Sequence, residues 1–72
     1  MTEGDFIRNV LEELRREAGY TQQELASRLS VSRQTVISLE SGRYSPSLLL
    51  AHRIAELFGK KIEDIFIFED GE

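Results

Sequence analysis

Ser32-Arg33-Gln34-Thr35 opens a helix-forming run, with Ser38 one turn further along the face that carries Gln34. An arginine beside a glutamine at such a start presents two planar hydrogen-bonding groups. The Arg33 guanidinium can donate twice to guanine O6 and N7, and the Gln34 carboxamide matches adenine N6 and N7, each pair discriminating by about 1–3 kcal/mol. Thr35 and Ile37 carry methyl groups that fit a thymine methyl, and Ser38 can reach a base edge or the backbone. Gln22 and Ser32 stand where two helices begin, so their N–H groups and polar side chains can face an anion favoured by the helix dipole. The plainer alternative is that Arg33 and Gln34 are solvated surface positions, as such residues usually are. No other constellation competes: the chain has no Cys, one His, no Gly-rich phosphate loop and no nucleophile with a neighbouring base. Thiolate metal sites, multi-histidine sites and the common catalytic arrangements are excluded, so neither an enzyme nor a cofactor is expected.

Charge bears on the same question. The net charge of −4 argues against a nucleic-acid partner, since duplex binding is mostly phosphate neutralisation. Its distribution argues the other way. Residues 1–24 hold three Arg against six acids, residues 25–55 hold Arg28, Arg33, Arg43 and Arg53 against Glu40 alone, and residues 56–72 hold two Lys against six acids. Taken alone, four arginines in that middle stretch read equally well as a basic footprint or as ordinary surface.

The elements that must position these residues are legible in caps and periodicity. With 72 residues, 40% hydrophobic and 31% charged, the chain reads as one small folded domain over 1–72. Asn9-Val10-Leu11-Glu12 has the form of a capping box, and Val10, Leu11, Leu14 and Ala18 continue at helical spacing to Gly19, predicting a helix over about 10–18. Thr21-Gln22-Gln23-Glu24 is a second capping box, predicting a helix over about 22–29 with Leu25, Ala26 and Leu29 inward. Ser32 caps a third over about 33–41, which turns Val36 and Leu39 inward, with Ile37 open to either side, and ends at Gly42. Ser47 caps the longest, whose stripe is Leu48, Leu50, Ala51, Ile54, Ala55, Leu57 and Phe58. Ile62 to Ile65 makes one more turn, and Ile65 to Phe68 is β-prone. Asp5 to Arg8 either pairs with that segment as a small antiparallel sheet or belongs to the first helix. The longest apolar runs are too short to span a bilayer and the amino terminus lacks a basic signal region, so a cytoplasmic protein without a membrane partner is expected.

Two short helices joined by a tight turn, with a small residue at their crossing and a polar face at the start of the second, make a helix-turn-helix over 22–41. The stretch Thr21-Gln22-Gln23-Glu24-Leu25-Ala26, then Val31-Ser32-Arg33-Gln34-Thr35-Val36, Leu39-Glu40, Gly42 and Pro46-Ser47-Leu48 resembles the Cro/C1-type (Xre-type) helix-turn-helix regulators over about residues 9–66. Tyr44-x-Pro46-Ser47-Leu48 and Glu63-Asp64-Ile65-Phe66 make it most similar to the short members of the cytolysin-repressor kind. The resemblance implies a mainly α, five-helix, lambda-repressor-like fold with a small two-stranded sheet from the chain ends. It implies a homodimeric regulator, most often a repressor, that reads a palindromic operator in double-stranded DNA through its third helix.

Carried over residue by residue, the family pattern makes Arg33 and Gln34 the base readers. It gives Arg43 and Tyr44 to a backbone-contacting loop, and Arg15 and Glu40 to a structural charge pair. Arg28 and Arg53 read as phosphate contacts or as surface. Leu49 departs from the polar residue usual at its position. One recognition helix reads few base pairs, so two copies are expected. Their contact is expected over about 57–68, through Leu57, Ile62, Ile65, Phe66, Ile67 and Phe68, although the same residues would also serve to close the monomer's own core. The competing function is an antitoxin-like module whose apolar, acidic end binds a small protein partner.

Overall fold

In the computed structural model, which describes residues 8–67, five helices are framed by two short strands. In chain order these are β1 (Arg8–Asn9), α1 (Leu11–Ala18), α2 (Gln22–Leu29), α3 (Arg33–Glu40), α4 (Leu48–Phe58), α5 (Ile62–Ile65) and β2 (Phe66–Ile67). The strands pair antiparallel, Arg8 opposite Ile67 and Asn9 opposite Phe66, so the two ends of the described chain close on each other. Arg8 thus takes the strand alternative, while Phe6, Ile7 and Phe68 lie outside the described residues.

Three caps read from the sequence form as expected. Thr21 Oγ1 accepts from Glu24 N at 3.0 Å while Thr21 N donates to Glu24 Oε1 at 2.8 Å, completing the capping box of α2. Ser32 accepts from Thr35 N at 3.1 Å, and Ser47 from Leu50 N at 3.1 Å. Asn9 differs. The first helix starts at Leu11 with Val10 in the cap position and no side-chain cap bond, because Asn9 is drawn into the strand pair with Phe66. Its Oδ1 still accepts from Leu11 N at 3.0 Å, but Glu12 does not return a bond as a capping box requires.

The core is built from Leu11, Leu25, Ala26, Leu29, Val36, Leu39, Leu50, Ala51, Ile54, Ala55, Ile65 and Phe66. Fully buried Ala26 sits where α2 meets α3, and its carbonyl takes the Val31 N–H at 3.0 Å, which fixes the tight turn. Leu48 does not join this core and is 80% exposed. At about 100° of rotation per residue it falls roughly a quarter-turn from the stripe centred on Leu50, Ile54 and Ala51. Ile65 and Phe66, expected at a contact between copies, are 0% and 2% exposed within one chain. Both belong to the buried core cluster, so they complete the monomer's own core.

Helix α2 ends on Ser30 at φ 60°, a left-handed conformation adopted by no other non-glycine residue among those described. The left-handed region costs an L residue about 1–2 kcal/mol, part of which glycine returns as unfolded-state entropy. Ser30→Gly is expected to raise stability by about 0.5–1 kcal/mol in urea denaturation. A loss of stability would show that the serine side chain supports this turn.

Candidate nucleic-acid interface

Helix α3 presents its first turn outward because its other face is anchored. Val36 and Leu39 are fully buried, and Thr35, Ile37 and Ser38 are half-buried along the flanks. That leaves Arg33 and Gln34 exposed, and neither makes a side-chain hydrogen bond or ion pair within the described residues. Their planar groups are therefore free to bond something else. The Ser32 hydroxyl is occupied by the Thr35 amide and shares a 2.9 Å hydrogen bond with Thr35 Oγ1, so both side chains serve the cap.

The start of α2 stands next to this turn. An open cleft of about 420 Å³ is lined by Glu12, Arg15, Arg16, Thr21, Gln22, Gln23 and Arg33, placing Arg33 and the α2 amino terminus on one surface. Gln23 and Arg16 were not singled out by the sequence. Arg16 pairs with Glu12 at 2.6 Å across one exposed helical turn, an i,i+4 spacing that does signal the contact. Gln22 is oriented from behind, its Nε2 donating to Glu40 Oε1 at 3.2 Å.

Glu40 is the hub of that support. Arg15 Nε donates to its Oε2, Arg15 Nη2 donates to its Oε1 at 3.3 Å, and Arg15 Nη1 donates to the Tyr20 carbonyl at 2.9 Å. The pair is nearly buried, and the hydrogen bond to Glu40 outweighs desolvation in raising the Arg15 guanidinium above its already high pKa. Arg15 is therefore charged at any pH the fold meets. Among the described residues no buried side-chain polar atom lacks a partner, so the network is fully satisfied. It locks the end of α1, the start of α2 and the end of α3 into one body.

The remaining arginines divide. Arg43 and the 43% exposed Tyr44 follow α3 in the loop leading to Pro46. Arg28 is placed differently. Its guanidinium stacks 4.6 Å above the centre of the Tyr20 ring, which in turn packs at 6.4 Å on Phe58, and it lines a cleft with Leu29, Arg53, Glu56 and Leu57. Arg28 sits at the far end of α2 from Gln22, where cation–π attraction to Tyr20 holds it. Its adjacency to Tyr20 comes from the fold, and no local sequence signal marks it.

The Helix-turn-helix family model matches residues 11–65, the span from the head of α1 to the end of α5. The chain belongs to the Cro/C1-type helix-turn-helix family. An HTH-type transcriptional regulator of Methanothermobacter thermautotrophicus is 61% identical over 67 residues, covering 90% of this chain and 97% of that one. Among solved structures, the restriction-modification controller protein C.AhdI from Aeromonas hydrophila is 28% identical with a TM-score of 0.66, over 75% of this chain and 78% of that chain. The clp gene regulator ClgR from C. glutamicum is 31% identical at the same TM-score of 0.66, over 76% and 71%. This helix-turn-helix regulator has, among its described residues, no helix long and apolar enough to cross a membrane.

Proposed function

We propose that this chain is a sequence-specific double-stranded DNA-binding regulator that acts in the cytoplasm as a homodimer, occupying an approximately palindromic operator and repressing the promoter beneath it. The observation that carries the reading is the Arg33-Gln34 pair, unpartnered among the described residues, on the outward first turn of α3, backed by a satisfied network at the helix's other end. Arg33 and Gln34 read base edges, with Ser38, Thr35 and Ile37 at the margin of the same face. Gln22, the backbone at Ser32, and Arg43 with Tyr44 hold phosphates on either side and fix the register. Two copies place their third helices in successive major grooves about 34 Å apart. The whole of 1–72 serves as one domain for this purpose.

Selection of bound duplexes from a random DNA pool at about 150 mM salt, where non-specific attraction is largely screened, tests the reading. A motif of two inverted half-sites is expected; no enrichment would overturn it.

Ile65 and Phe66 are buried within one chain, so of the residues proposed for the contact between copies those at least partly exposed among the described residues are Ile67, 36% exposed, and half-buried Leu57 and Ile62. Ile67→Asp is expected to give folded monomers in sedimentation that bind the operator poorly, whereas Phe66→Asp is expected to unfold the chain. A dimer of unchanged strength in Ile67→Asp would place the contact elsewhere.

A further inference from the structure

Asn9 joins two parts of the molecule that the proposed function keeps separate. Its Nδ2 donates to the Leu39 carbonyl at 2.9 Å, in the last turn of α3, while its backbone pairs with Phe66 in the two-stranded sheet. The neighbouring Val10 N–H donates to the Ile65 carbonyl at 3.0 Å, and Asn9 Oδ1 takes the Leu11 amide at the head of α1. One half-buried carboxamide therefore ties the end of the recognition helix to the strand that carries Ile67. The Leu39 carbonyl also accepts from Gly42 N at 3.1 Å, so Asn9 takes its second lone pair and both are committed.

We propose that Asn9 is a positioning residue that fixes α3 relative to the β2 edge and so sets the half-site spacing accepted by two copies. This rests on the dimeric, operator-reading function proposed above. In a two-fold assembly joined near β2, the separation of the reading helices is inherited from the angle between α3 and that edge. A rigid connection accepts one spacing, and a loosened one tolerates neighbouring spacings.

Two variants separate this role from plain support of the fold. Asn9→Ser keeps an oxygen for the Leu11 amide but is too short to reach Leu39. Asn9→Asp also keeps that oxygen but turns the donor at Leu39 into an acceptor. The operator enriched by wild type is compared, in direct binding, with duplexes whose half-sites are one base pair closer or further apart, and with a duplex carrying one half-site. Both variants are expected to lose about 3–10-fold of the spacing discrimination, the fold-change equivalent of one hydrogen bond, with single half-site affinity within about twofold of wild type. Unchanged discrimination in a folded variant overturns the proposal, as does an equal loss on the single half-site.

If both variants unfold, amide exchange in wild type decides. Gly42 and Arg43 at the end of α3 should open together with Val10, and independent opening overturns the proposal. Failure of wild type to enrich paired half-sites removes the operator reading and this inference with it. Failure confined to the variants leaves that reading standing.

Discussion

Arg33→Ala is expected to abolish operator selectivity while leaving the fold intact. Arg33 is exposed and makes no bond within the described residues, so its removal creates no cavity and strands no partner. In the proposed dimeric complex it removes a bidentate donor worth about 1–3 kcal/mol of base discrimination in each half-site, or about 2–6 kcal/mol over two. That corresponds to a loss of roughly 30-fold to more than 10⁴-fold in preference for the operator over random duplex. Arg43→Ala is the contrast. Placed in the loop after α3 and proposed to meet phosphate, it is expected to weaken all sequences about equally and to reduce the salt slope by about one. Binding of both variants to operator and scrambled duplexes over a salt series checks the division. Equal loss of selectivity in the two would sink it.

The second large effect is on stability. Glu40→Ala is expected to destabilise the protein by about 3–5 kcal/mol, because it leaves the buried Arg15 guanidinium without its counter-charge. A chain of 72 residues typically has about 4–11 kcal/mol in total, so this one change removes much of the margin. The same truncation frees Gln22, whose carboxamide Glu40 holds, so the surviving folded fraction should bind every duplex less well. The double variant Arg15→Met with Glu40→Leu is the informative partner: replacing both charges by apolar side chains of similar volume is expected to recover most of the lost stability. Urea denaturation of the three proteins measures this directly. A cost below about 1 kcal/mol for Glu40→Ala would mean that the pair behaves as a solvated surface bridge.

The sequence by itself determined what depends on near neighbours. Thr21, Ser32 and Ser47 announce helix starts because a cap needs only a hydroxyl and an amide three positions on, and all three bonds form. The inward faces of α2 and α3 follow from Leu25, Leu29, Val36 and Leu39 at helical spacing, and the outward placing of Arg33 and Gln34 follows from those same anchors. Tertiary structure decided whatever depends on a distant partner. Ile65-Phe66-Ile67 is apolar on both faces, so alternation carries no signal of inside and outside; the fold buries Ile65 at the end of α5 and Phe66 opposite Asn9, and leaves Ile67 at the surface. Arg28 reads alone as a spare cation until Tyr20 comes beneath it. Asn9 reads as a helix cap until Leu39, thirty positions away, takes its amide. A carboxamide satisfies a local amide and a remote carbonyl equally well, and only packing brings the remote one within 2.9 Å.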